Sequence, residues 1–332
     1  MRGERWLIYA LGGGLGHLTR ALGLGRVARA RGHRVRVVTN SPFASCLPLE
    51  AELGEGAVHP LDAGLDKHAV REAITRLLEQ ERPEVLVVDT FPRGLGGELA
   101  PLLPGLRARK VLVHRDLKPN YEERFDLERF VDTDALLLLP GEPAPLGHHP
   151  SAVRTPPWLV RDAEELADFT EARRRLQVPA DTSLPVVAVL ACGHSKEVEE
   201  SAMLAEELRR RLGSLAVIRL LSPCPLPPGS PEALRLWPAL EVLRGVDVLV
   251  GAGGYNTVQE ARATGTPLVA LVRPRLYDRQ ALRLRAGERV STPGEVLSRV
   301  QALLPSPRPG PPSYINGTHE AVRLIEGGAT GV

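Results

Sequence analysis

The chain has little of several residue types that mark particular protein classes. Only 3 of its 332 residues are cysteine and only 4% are aromatic. Because Cys46, Cys192 and Cys224 are far apart and form no Cys-x-x-Cys pair, neither a zinc cluster nor a fold held together by several disulfides is expected. The net charge is only +2, with no excess of one sign in either half, so a nucleic-acid partner is not expected.

Long apolar runs are also absent. The first apolar run, residues 6–11, is shorter than a signal-peptide core and ends in glycines. No stretch approaches the roughly 18 apolar residues that span a bilayer. With 43% apolar and 25% charged residues, the chain is expected to be globular, and its length of 332 residues suits about two domains. Because the cysteines predict no disulfide framework, a cytoplasmic location is expected.

Strand-like and helix-like segments alternate along the chain, which predicts α/β domains with doubly wound parallel sheets. The predicted strands are 7–11, 35–39, 85–89, 111–114, 135–139, 186–191, 216–220 and one that starts at 246. The predicted helices are 18–30, 69–81, 163–176, 197–211 and 318–326.

Stretches rich in proline and glycine divide these elements into domains. Residues 140–157 contain Pro, Gly and His without periodicity and are interpreted as a linker, and residues 304–312 form a second break. The predicted domains are 1–155 and 156–312, followed by a C-terminal segment, 313–332.

The most informative segment is a valine-rich strand that leads through a glycine loop into a helix, within residues 246–280. Gly251, Gly253 and Gly254 allow close backbone approach. The first amides of the helix, near Asn256 and Thr257, can face phosphate oxygens, and the helix dipole adds attraction. The segment therefore predicts an anion-binding helix start.

This segment resembles the donor-binding signature of GT-B glycosyltransferases. It is similar to plant and antibiotic UDP-sugar transferases and to the bacterial transferase that adds N-acetylglucosamine to a lipid-linked peptidoglycan precursor. The residues that carry the resemblance are Gly253, Gly254, Tyr255, Asn256, Thr257, Glu260, Gly265-Thr266-Pro267, Asp278 and Gln280.

The resemblance implies a role for each of these positions. Asn256 and Thr257 would contact phosphate, Glu260 the ribose hydroxyls, and Asp278 and Gln280 the hydroxyls of the donor sugar. Two alternatives stay open: Thr257-x-x-Glu260 is also a capping box, and Asp278 and Gln280 could be ordinary polar loop residues.

The match departs from the plant-type signature at one place, because Ala252 stands where that signature has a histidine near a phosphate. Arg273 and Arg275 could neutralise the phosphates instead. A further loop, which contains Gly193, is followed by Ser195 and Lys196, whose amides, hydroxyl and ammonium group could also meet the diphosphate. The alternative is a Ser195 helix cap beside a solvated Lys196.

A second glycine loop, GGGLGHLTR at residues 12–20, follows the first predicted strand. It does not fit a dinucleotide-binding fingerprint, because the last required glycine or alanine falls on His17 and the second strand ends in Thr39-Asn40 rather than an acid. NAD and FAD are therefore not expected. The loop resembles the glycine-rich start of GT-B transferases. That resemblance places these residues near the acceptor or a phosphate: Gly13, Gly14, Gly16 and Thr19.

His17 is the candidate catalytic base. In several GT-B families a histidine at this position takes the proton of the acceptor hydroxyl, and imidazole suits that task near neutral pH. The resemblance to plant transferases implies that Asp89, at the end of a predicted strand, orients this histidine. The alternatives are that His17 only contacts a phosphate or caps the helix, and that Asp89 bonds to its own turn.

Residues 88–99 resemble a group of predicted bacterial glycosyltransferases, in which a strand ending in His-Arg-Asp or Arg-Asp follows. That position here is His114-Arg115-Asp116, and Arg115 is a further candidate for contact with acceptor or phosphate. The arginines of the first helix and second strand could form a basic face. Such a face would be simply solvated, or it would meet an anionic acceptor or the surface of the inner membrane.

The resemblance as a whole implies a GT-B architecture, with two Rossmann-like domains facing a central cleft. The first would bind an acceptor hydroxyl, the second a nucleoside diphosphate sugar, with a UDP-sugar as the expected donor, and residues 313–332 would pack on the first. The expected reaction is inverting transfer with no obligatory metal or other cofactor. A nucleotide-sugar hydrolase or epimerase and a non-catalytic nucleotide-sugar sensor are the alternatives.

Overall fold

A computed structural model describes residues 3–131, 135–305, 310 and 313–327. The chain divides into two compact units. The first unit comprises Met1–Val160, Leu276–Asp278 and Asn316–Val332, and the second comprises Arg161–Arg275 and Arg279–Ile315.

The first unit is built on a parallel sheet. Its described strands are β1 (Arg5–Tyr9), β2 (Arg34–Thr39), β3 (Val58–Pro60), β4 (Val85–Asp89), β5 (Arg109–Val113), β6 (Leu136–Pro140) and β7 (Ala152–Thr155). They lie in the order β3-β2-β1-β4-β5-β6-β7, and every neighbouring pair is parallel. Every residue of β4 and β6 is buried, as expected for a parallel sheet covered on both faces.

Helices and loops cover both faces of this sheet. The helices before residue 131 are α1 (Leu15–Ala30), α2 (Leu49–Leu53), α3 (Lys67–Glu81), α4 (Pro119–Phe125) and α5 (Leu127–Phe130). Leu7 and Tyr9 of β1 pack in one apolar cluster with Ile74 and Leu77 of α3. The side chain of Asp66 caps α3 by accepting from the backbone N–H of Ala69.

The second unit repeats this plan with a second parallel sheet. Its described strands are β8 (Val186–Leu190), β9 (Val217–Ser222), β10 (Leu234–Arg235), β11 (Val248–Gly251), β12 (Leu268–Leu271) and β13 (Arg289–Val290). Their order is β10-β9-β8-β11-β12-β13, so both sheets reverse their strand order beside the strand that comes first in the chain.

Two apolar clusters fill the two faces of the second sheet. The helices of this unit are α6 (Phe169–Arg175), α7 (Ser195–Leu212), α8 (Tyr255–Thr264) and α9 (Pro293–Leu303). Leu208 of α7 and Val300 of α9 pack with Val187 and Val189 of β8. Val258 of α8 packs in the other cluster, so the alternation along β8 separates the two layers.

The last helix, α10 (Gly317–Gly327), belongs to the first unit and packs on α1. The carboxylate of Glu326 accepts from Arg31 Nη2 at 2.7 Å and lies 2.9 Å from His33 Nε2. Buried Asn316 exchanges two hydrogen bonds with the backbone of Leu159. The contacts of Glu326 attach α10 to the end of α1, and those of Asn316 attach the start of α10 to the segment at Leu159.

Most predicted strands and helices are present, but two interpretations are wrong. Residues 163–176 are not one helix, because Asp168 caps α6 by accepting from Glu171 N–H, and a short 3-10 turn precedes it. Residues 140–157 are not purely a linker between the two units, because Ala152–Thr155 pairs with β6 as a seventh strand of the first sheet. The break proposed at 304–312 lies largely outside the described residues. None of the described helices combines the length and the hydropathy needed to cross a bilayer.

Candidate functional site

In the first unit, the candidate residues lie where the strand order reverses between β1 and β4. Open α/β sheets bind ligands at such a point, beyond the carboxyl ends of the strands. The glycine loop follows β1, and Asp89 is the last residue of β4. Helix α1 begins at Leu15, three residues before the predicted start, so His17 lies in its first turn.

The structure brings His17 and Asp89 together and adds a residue that the sequence analysis missed. Nδ1 of His17 lies 2.6 Å from Oδ2 of Asp89. Arg20, three residues after His17 on α1, donates from Nη2 to Oδ2 at 2.6 Å and from Nε to Oδ1 at 3.1 Å. The side chains of Arg20 and Asp89 are 2% and 3% exposed, so this is a buried ion pair.

This geometry fixes the tautomer of His17. An ionised carboxylate can only accept hydrogen bonds, so Nδ1 must carry the proton that it donates to Asp89. Nε2 then holds the lone pair, and no described residue forms a hydrogen bond with it. The His17 side chain is 18% exposed, and its ring stacks on Phe91 with centroids 5.5 Å apart.

The electrostatics of the site favour a neutral His17 and an ionised Asp89. Burial lowers the pKa of His17 below 6.5, Asp89 opposes that change, and Arg20 and Arg115 add to it. Burial alone would raise the pKa of Asp89, but Arg20 and then His17 outweigh it and lower the pKa. The carboxylate therefore stays charged, and the imidazole stays able to accept a proton at neutral pH.

Gly12 allows the close approach of the imidazole to the loop. A Cβ atom at Gly12 would lie 2.3 Å from Cδ2 of His17, so any larger residue must displace the ring. The backbone N–H of Gly12 also donates to Oδ1 of Asn40 at 2.7 Å. Asn40, at the end of the second predicted strand, therefore holds the glycine loop.

The other residues predicted for this loop differ in exposure. Gly13 is exposed, whereas Gly14, which caps α1, and Gly16 are half-buried. A Cβ atom at Gly14 would meet nothing within 4 Å. Thr19 is 5% exposed, and its hydroxyl has no hydrogen-bond partner within the described part of the chain. The loop therefore has open space in front of Gly14 but not at Thr19.

Arg115 is engaged inside the first unit. Its Nε donates to Oε1 of Glu142 at 3.0 Å, and both side chains are less than 10% exposed. Preceding it, His114 is fully buried, and burial followed by the nearby His149 lowers its pKa to about 4. Its Nε2 accepts from Leu146 N–H at 3.0 Å, which fits a neutral core histidine.

The segment after β4, which resembles a group of predicted bacterial transferases, folds around one buried carboxylate. Tyr9 donates its hydroxyl hydrogen to Oε1 of Glu98, and Gly96 N–H donates to Oε2 at 2.8 Å. Gly94 has a φ of +83°, and a Cβ atom there would lie 2.7 Å from Cδ of Glu98. The glycines in this segment thus serve the local fold.

Most of the predicted basic face on α1 and β2 is neutralised within the first unit. The structure pairs these arginines with carboxylates: Arg20 with Asp89, Arg26 with Glu52, Arg31 with Glu326 and Arg36 with Glu81.

In the second unit, the loops after β8 and β11 flank the corresponding reversal of strand order. Gly193 has a φ of +126°, and a Cβ atom there would lie 2.1 Å from Oε2 of Glu197. His194, not Ser195, caps α7, and it forms a capping box with Glu197. Ser195 and Lys196 are exposed residues of the first turn. The N-terminus of α7 is therefore accessible to an anion.

Helix α8 begins at the glycine loop as predicted. Gly254 caps it without a side-chain hydrogen bond, and a Cβ atom at Gly254 would meet nothing within 4 Å. Gly253 is tightly packed, with the Cβ position 3.2 Å from Gln280. Tyr255 and Thr257 are buried, and Asn256 is half-buried. The helix start is thus open at Gly254 and closed behind it.

Glu260 is not part of a capping box. Thr257 is the third residue of α8 and Glu260 the sixth, so neither stands at the cap. Glu260 is only 8% exposed, and burial raises the pKa of its carboxyl group to about 7. Within the described residues, its carboxylate has no hydrogen bond or ion pair. A buried carboxyl group of this kind is costly unless a ligand satisfies it.

Arg273 and Arg275 bind carboxylates of α7. Arg273 contacts Glu200, and Nη2 of Arg275 donates to Oε2 of Glu197 at 2.9 Å. Both arginines are about one-quarter exposed or less. They hold the loop after β12 on the first two turns of α7, where a phosphate would compete with the two glutamates.

The two residues predicted to bind the donor sugar differ in their surroundings. Gln280 is 4% exposed and accepts at Oε1 from the Arg273 backbone N–H at 3.2 Å, so its oxygen holds a loop. Asp278 is half-buried and groups with the first unit, whereas Gln280 groups with the second.

Within the described residues, no group of three or more His, Cys, Asp or Glu side chains is placed to hold a metal ion. The expectation of metal-independent chemistry stays a prediction.

Comparison with solved structures places this fold among known architectures. The chain is similar to the kitacinnamycin glycosyltransferase (TM-score 0.65, 19% identity, covering 98% of this chain and 99% of that one). It is also similar to the glycosyltransferase SsfS6 from Streptomyces sp. SF2575, solved with thymidine diphosphate (TM-score 0.60, 16% identity, 98% and 99%). MurG from Acinetobacter baumannii gives a TM-score of 0.54 at 17% identity (97% and 99%).

One similar structure is named for a different activity. A candidate UDP-N-acetylglucosamine 2-epimerase from Listeria monocytogenes gives a TM-score of 0.57 at 13% identity, covering 98% of this chain and 95% of that one. No protein-family model and no curated protein sequence matches the chain. The comparisons therefore show the fold: this chain has the GT-B architecture, with two parallel-sheet domains and interleaved helices.

Proposed function

We propose that this protein is an inverting glycosyltransferase, which moves a sugar from a nucleoside diphosphate donor to an acceptor hydroxyl. The observation that carries the proposal is the hydrogen bond of 2.6 Å between Nδ1 of His17 and Oδ2 of Asp89, at the switch point of the first sheet. It leaves Nε2 of the imidazole as a free base where such folds bind ligands.

The chemical step follows from the state of this base. Nε2 of His17 takes the proton of the acceptor hydroxyl as that oxygen attacks the anomeric carbon of the donor. The bond from the anomeric carbon to the diphosphate oxygen breaks, and the diphosphate leaves with the electron pair. Attack from the face opposite the leaving group inverts the anomeric centre. Asp89 stabilises the imidazolium that forms, since its carboxylate accepts a hydrogen bond from Nδ1–H throughout.

The donor proposal rests on the second unit. The open N-terminus of α8 at Gly254 and the exposed first turn of α7 at Ser195 and Lys196 offer backbone N–H groups to a diphosphate. Buried Glu260, with no partner in the described part of the chain, would accept hydrogen bonds from ribose hydroxyls. Asp278 stays a proposed contact of the donor sugar.

The leaving group needs stabilisation where the plant-type histidine is replaced by Ala252. Helix dipoles at α7 and α8 and the ammonium of Lys196 supply positive potential without a metal. Transfer is therefore proposed to continue in the presence of EDTA. A complete loss of turnover that Mg²⁺ or Mn²⁺ restores would contradict this part of the proposal.

The experiment that tests the function is a donor screen followed by turnover assays. Thermal shift with UDP-, dTDP- and GDP-sugars identifies the nucleotide, because a bound ligand stabilises the folded state by mass action. The UDP-sugars are the expected donors. The stabilising donor is then incubated with and without hydroxyl acceptors, using wild-type, His17→Ala and Glu260→Ala protein.

Acceptor-dependent transfer that both variants lose supports the proposal. Sugar release without acceptor would identify a hydrolase instead, and an isomerised donor an epimerase, as in the candidate epimerase of this fold. Donor binding without any turnover would identify a sensor. The proposal fails if both variants retain acceptor-dependent transfer.

A further inference from the structure

Arg20 occupies a position in the candidate site that a base and an orienting carboxylate alone do not require. It lies one turn after His17 on α1, and its side chain is 2% exposed. Its Nε and Nη2 atoms donate to the two oxygens of Asp89 at 3.1 and 2.6 Å. Nη2 also lies 3.4 Å from Nδ1 of His17. A buried arginine at this distance from a base disfavours protonation of that base.

The contact between Arg20 and His17 is one of charge proximity. Nδ1 donates its proton to Asp89, so it has no lone pair left to accept from Arg20. Oδ2 of Asp89 is therefore shared, receiving hydrogen bonds from both Nδ1 of His17 and Nη2 of Arg20. The two-point bond of the guanidinium holds the plane of the carboxylate and so fixes which oxygen faces the imidazole.

The charges around His17 determine the direction of the effect. The charged groups that act on it are Asp89, which favours the imidazolium, and Arg20 and Arg115, which disfavour it. On another side the ring meets Phe91, which is apolar. Without Arg20, a single buried carboxylate would face the imidazole and would draw a proton onto it.

We propose that Arg20 is a positioning residue that holds the Asp89 carboxylate in place and, by balancing its charge, keeps His17 neutral with its proton on Nδ1. The role of His17 as the base rests on the proposed function, whereas the effect of Arg20 on its protonation does not. Arg20 thereby makes His17 a weaker base, but it keeps the imidazole unprotonated, and so able to accept a proton, at neutral pH.

Two substitutions separate the charge of Arg20 from its two-point bond. Arg20→Gln removes the charge but keeps an amide that can donate to Asp89. Arg20→Lys keeps the charge but loses the planar fork. Arg36→Gln is the matched control, because Arg36 also binds a carboxylate of the first unit, Glu81, but its side chain is 35% exposed.

The experiment is a nitrogen-15 NMR titration of His17 in the full-length protein without substrate, with His17→Gln used to assign the signal. In wild-type protein, we expect a neutral imidazole with the proton on Nδ1 at pH 7. In Arg20→Gln, we expect the titration midpoint to rise by roughly 1 pH unit. In Arg20→Lys, we expect an unchanged midpoint but a mixture of Nδ1–H and Nε2–H tautomers.

Activity gives the second readout once a substrate pair is known. A rise of 1 unit in the midpoint leaves about tenfold less neutral His17 below both midpoints, so Arg20→Gln should lose about tenfold in kcat at acid pH and recover at alkaline pH. A residue that only stabilises the fold would not shift the pH profile in this way.

The proposal is overturned if the His17 midpoint in Arg20→Gln matches that of the wild-type protein and of Arg36→Gln. It is also overturned if Arg20→Lys keeps a pure Nδ1–H tautomer, since the fork would then position nothing. If Arg20→Gln does not fold, the tautomer in Arg20→Lys decides. If the NMR titrations give the expected midpoints and tautomers but the protein transfers no sugar, the proposed function is refuted and the role of Arg20 stands.

Discussion

Nδ1 of His17 lies 2.6 Å from Oδ2 of Asp89, and the two residues come from opposite sides of the reversal in strand order of the first sheet. His17 is placed there by the first turn of α1, and Asp89 by the end of β4. Since both elements belong to the first unit, the pair is preformed within one domain. Its properties can be tested one residue at a time.

Asp89→Asn should abolish most of the activity without removing the histidine. An amide can offer its N–H group to Nδ1, which would move the histidine proton to Nε2 and leave no base for the acceptor. We expect kcat to fall by about 10²- to 10⁴-fold, as measured in steady-state assays. Wild-type kcat in this variant would contradict the assigned role of Asp89.

The same substitution should destabilise the fold, because Arg20 would keep its charge while it loses the buried carboxylate. Breaking a buried ion pair in this way costs about 3–5 kcal/mol. Urea unfolding measures the loss, and Glu84→Gln is the control, since Glu84 pairs with Arg5 at the surface. Equal stability of the two variants would show that the pair at Asp89 is not effectively buried.

The pH dependence of transfer should have an acid limb set by His17. Its pKa in the folded protein is lowered below 6.5, first by burial. The neutral base is therefore present at pH 7 and is lost as the pH falls through this lowered value. Stability follows the same direction: the contribution of His17 is present above its unfolded pKa and is lost as the pH falls through the folded one.

The measurement is kcat/KM for the acceptor at saturating donor from pH 4.5 to 9. We expect a plateau from about pH 7 upward and a limb of unit slope below it. Because the pKa of Asp89 is lowered from an ordinary value of 3.8, which already lies below pH 4.5, Asp89 should add no second limb in this range. A midpoint above 7 would contradict a neutral His17 in the resting site.

How far the sequence predicts this site depends on the range of the interactions. The positions of His17, Asp89 and Gly254 follow from local patterns, because a strand that ends in a glycine loop before a helix is specified by adjacent residues. Arg20 is the last residue of the glycine-loop motif at residues 12–20, three residues after His17. The i, i+3 spacing on one helix face was the signal that could have identified it.

Other features depend on contacts that a single sequence does not display. Strand β7 is held by its pairing with β6, although residues 140–157 are rich in proline and glycine. Gln280 accepts a hydrogen bond from the Arg273 backbone, and the Arg273 side chain binds Glu200. Two residues predicted to contact a ligand therefore have partners within the fold. Helix periodicity also gave no sign that Asp168 would start a new helix inside residues 163–176.

Glu260→Gln should stabilise the unliganded protein at alkaline pH. The pKa of Glu260 is raised to about 7 by burial, above its unfolded value near 4.3. A group of this kind contributes stability fully below the unfolded pKa and loses it as the pH rises through the folded value. At pH 8 the ionised side chain costs roughly 3 kcal/mol, which glutamine avoids.

Thermal unfolding at pH 5 and pH 8 checks this effect. We expect the variant to melt higher than wild type at pH 8 and near wild type at pH 5, whereas exposed Glu199→Gln should change neither. The same variant should bind the donor more weakly, because ribose hydroxyls would lose a carboxylate acceptor. If Glu260→Gln and the wild-type protein melt at the same temperature at pH 8, ionised Glu260 does not destabilise the folded protein.

Gly12→Ala and Gly14→Ala provide a matched test of the space around the base. The added methyl group at position 12 would lie 2.3 Å from Cδ2 of His17, whereas at position 14 it would meet nothing within 4 Å. In Gly12→Ala the imidazole must therefore turn away, and its bond to Asp89 lengthens or breaks. In Gly14→Ala the base stays in place, and only the approach of a ligand to the start of α1 can change.

We expect kcat to fall at least about 100-fold in Gly12→Ala, which is the order of loss when a general base is misplaced. KM for the donor should be unchanged, since the donor is proposed to bind the second unit. Gly14→Ala should retain kcat within a few-fold and alter only KM for the acceptor. The decisive comparison is kcat in the two variants at equal thermal stability. If both lose the same activity, the loop contributes only its backbone and the placement of the His17 ring does not matter. If only Gly12→Ala loses kcat, the space left by the missing side chain at position 12 is what allows His17 to stay beside Asp89.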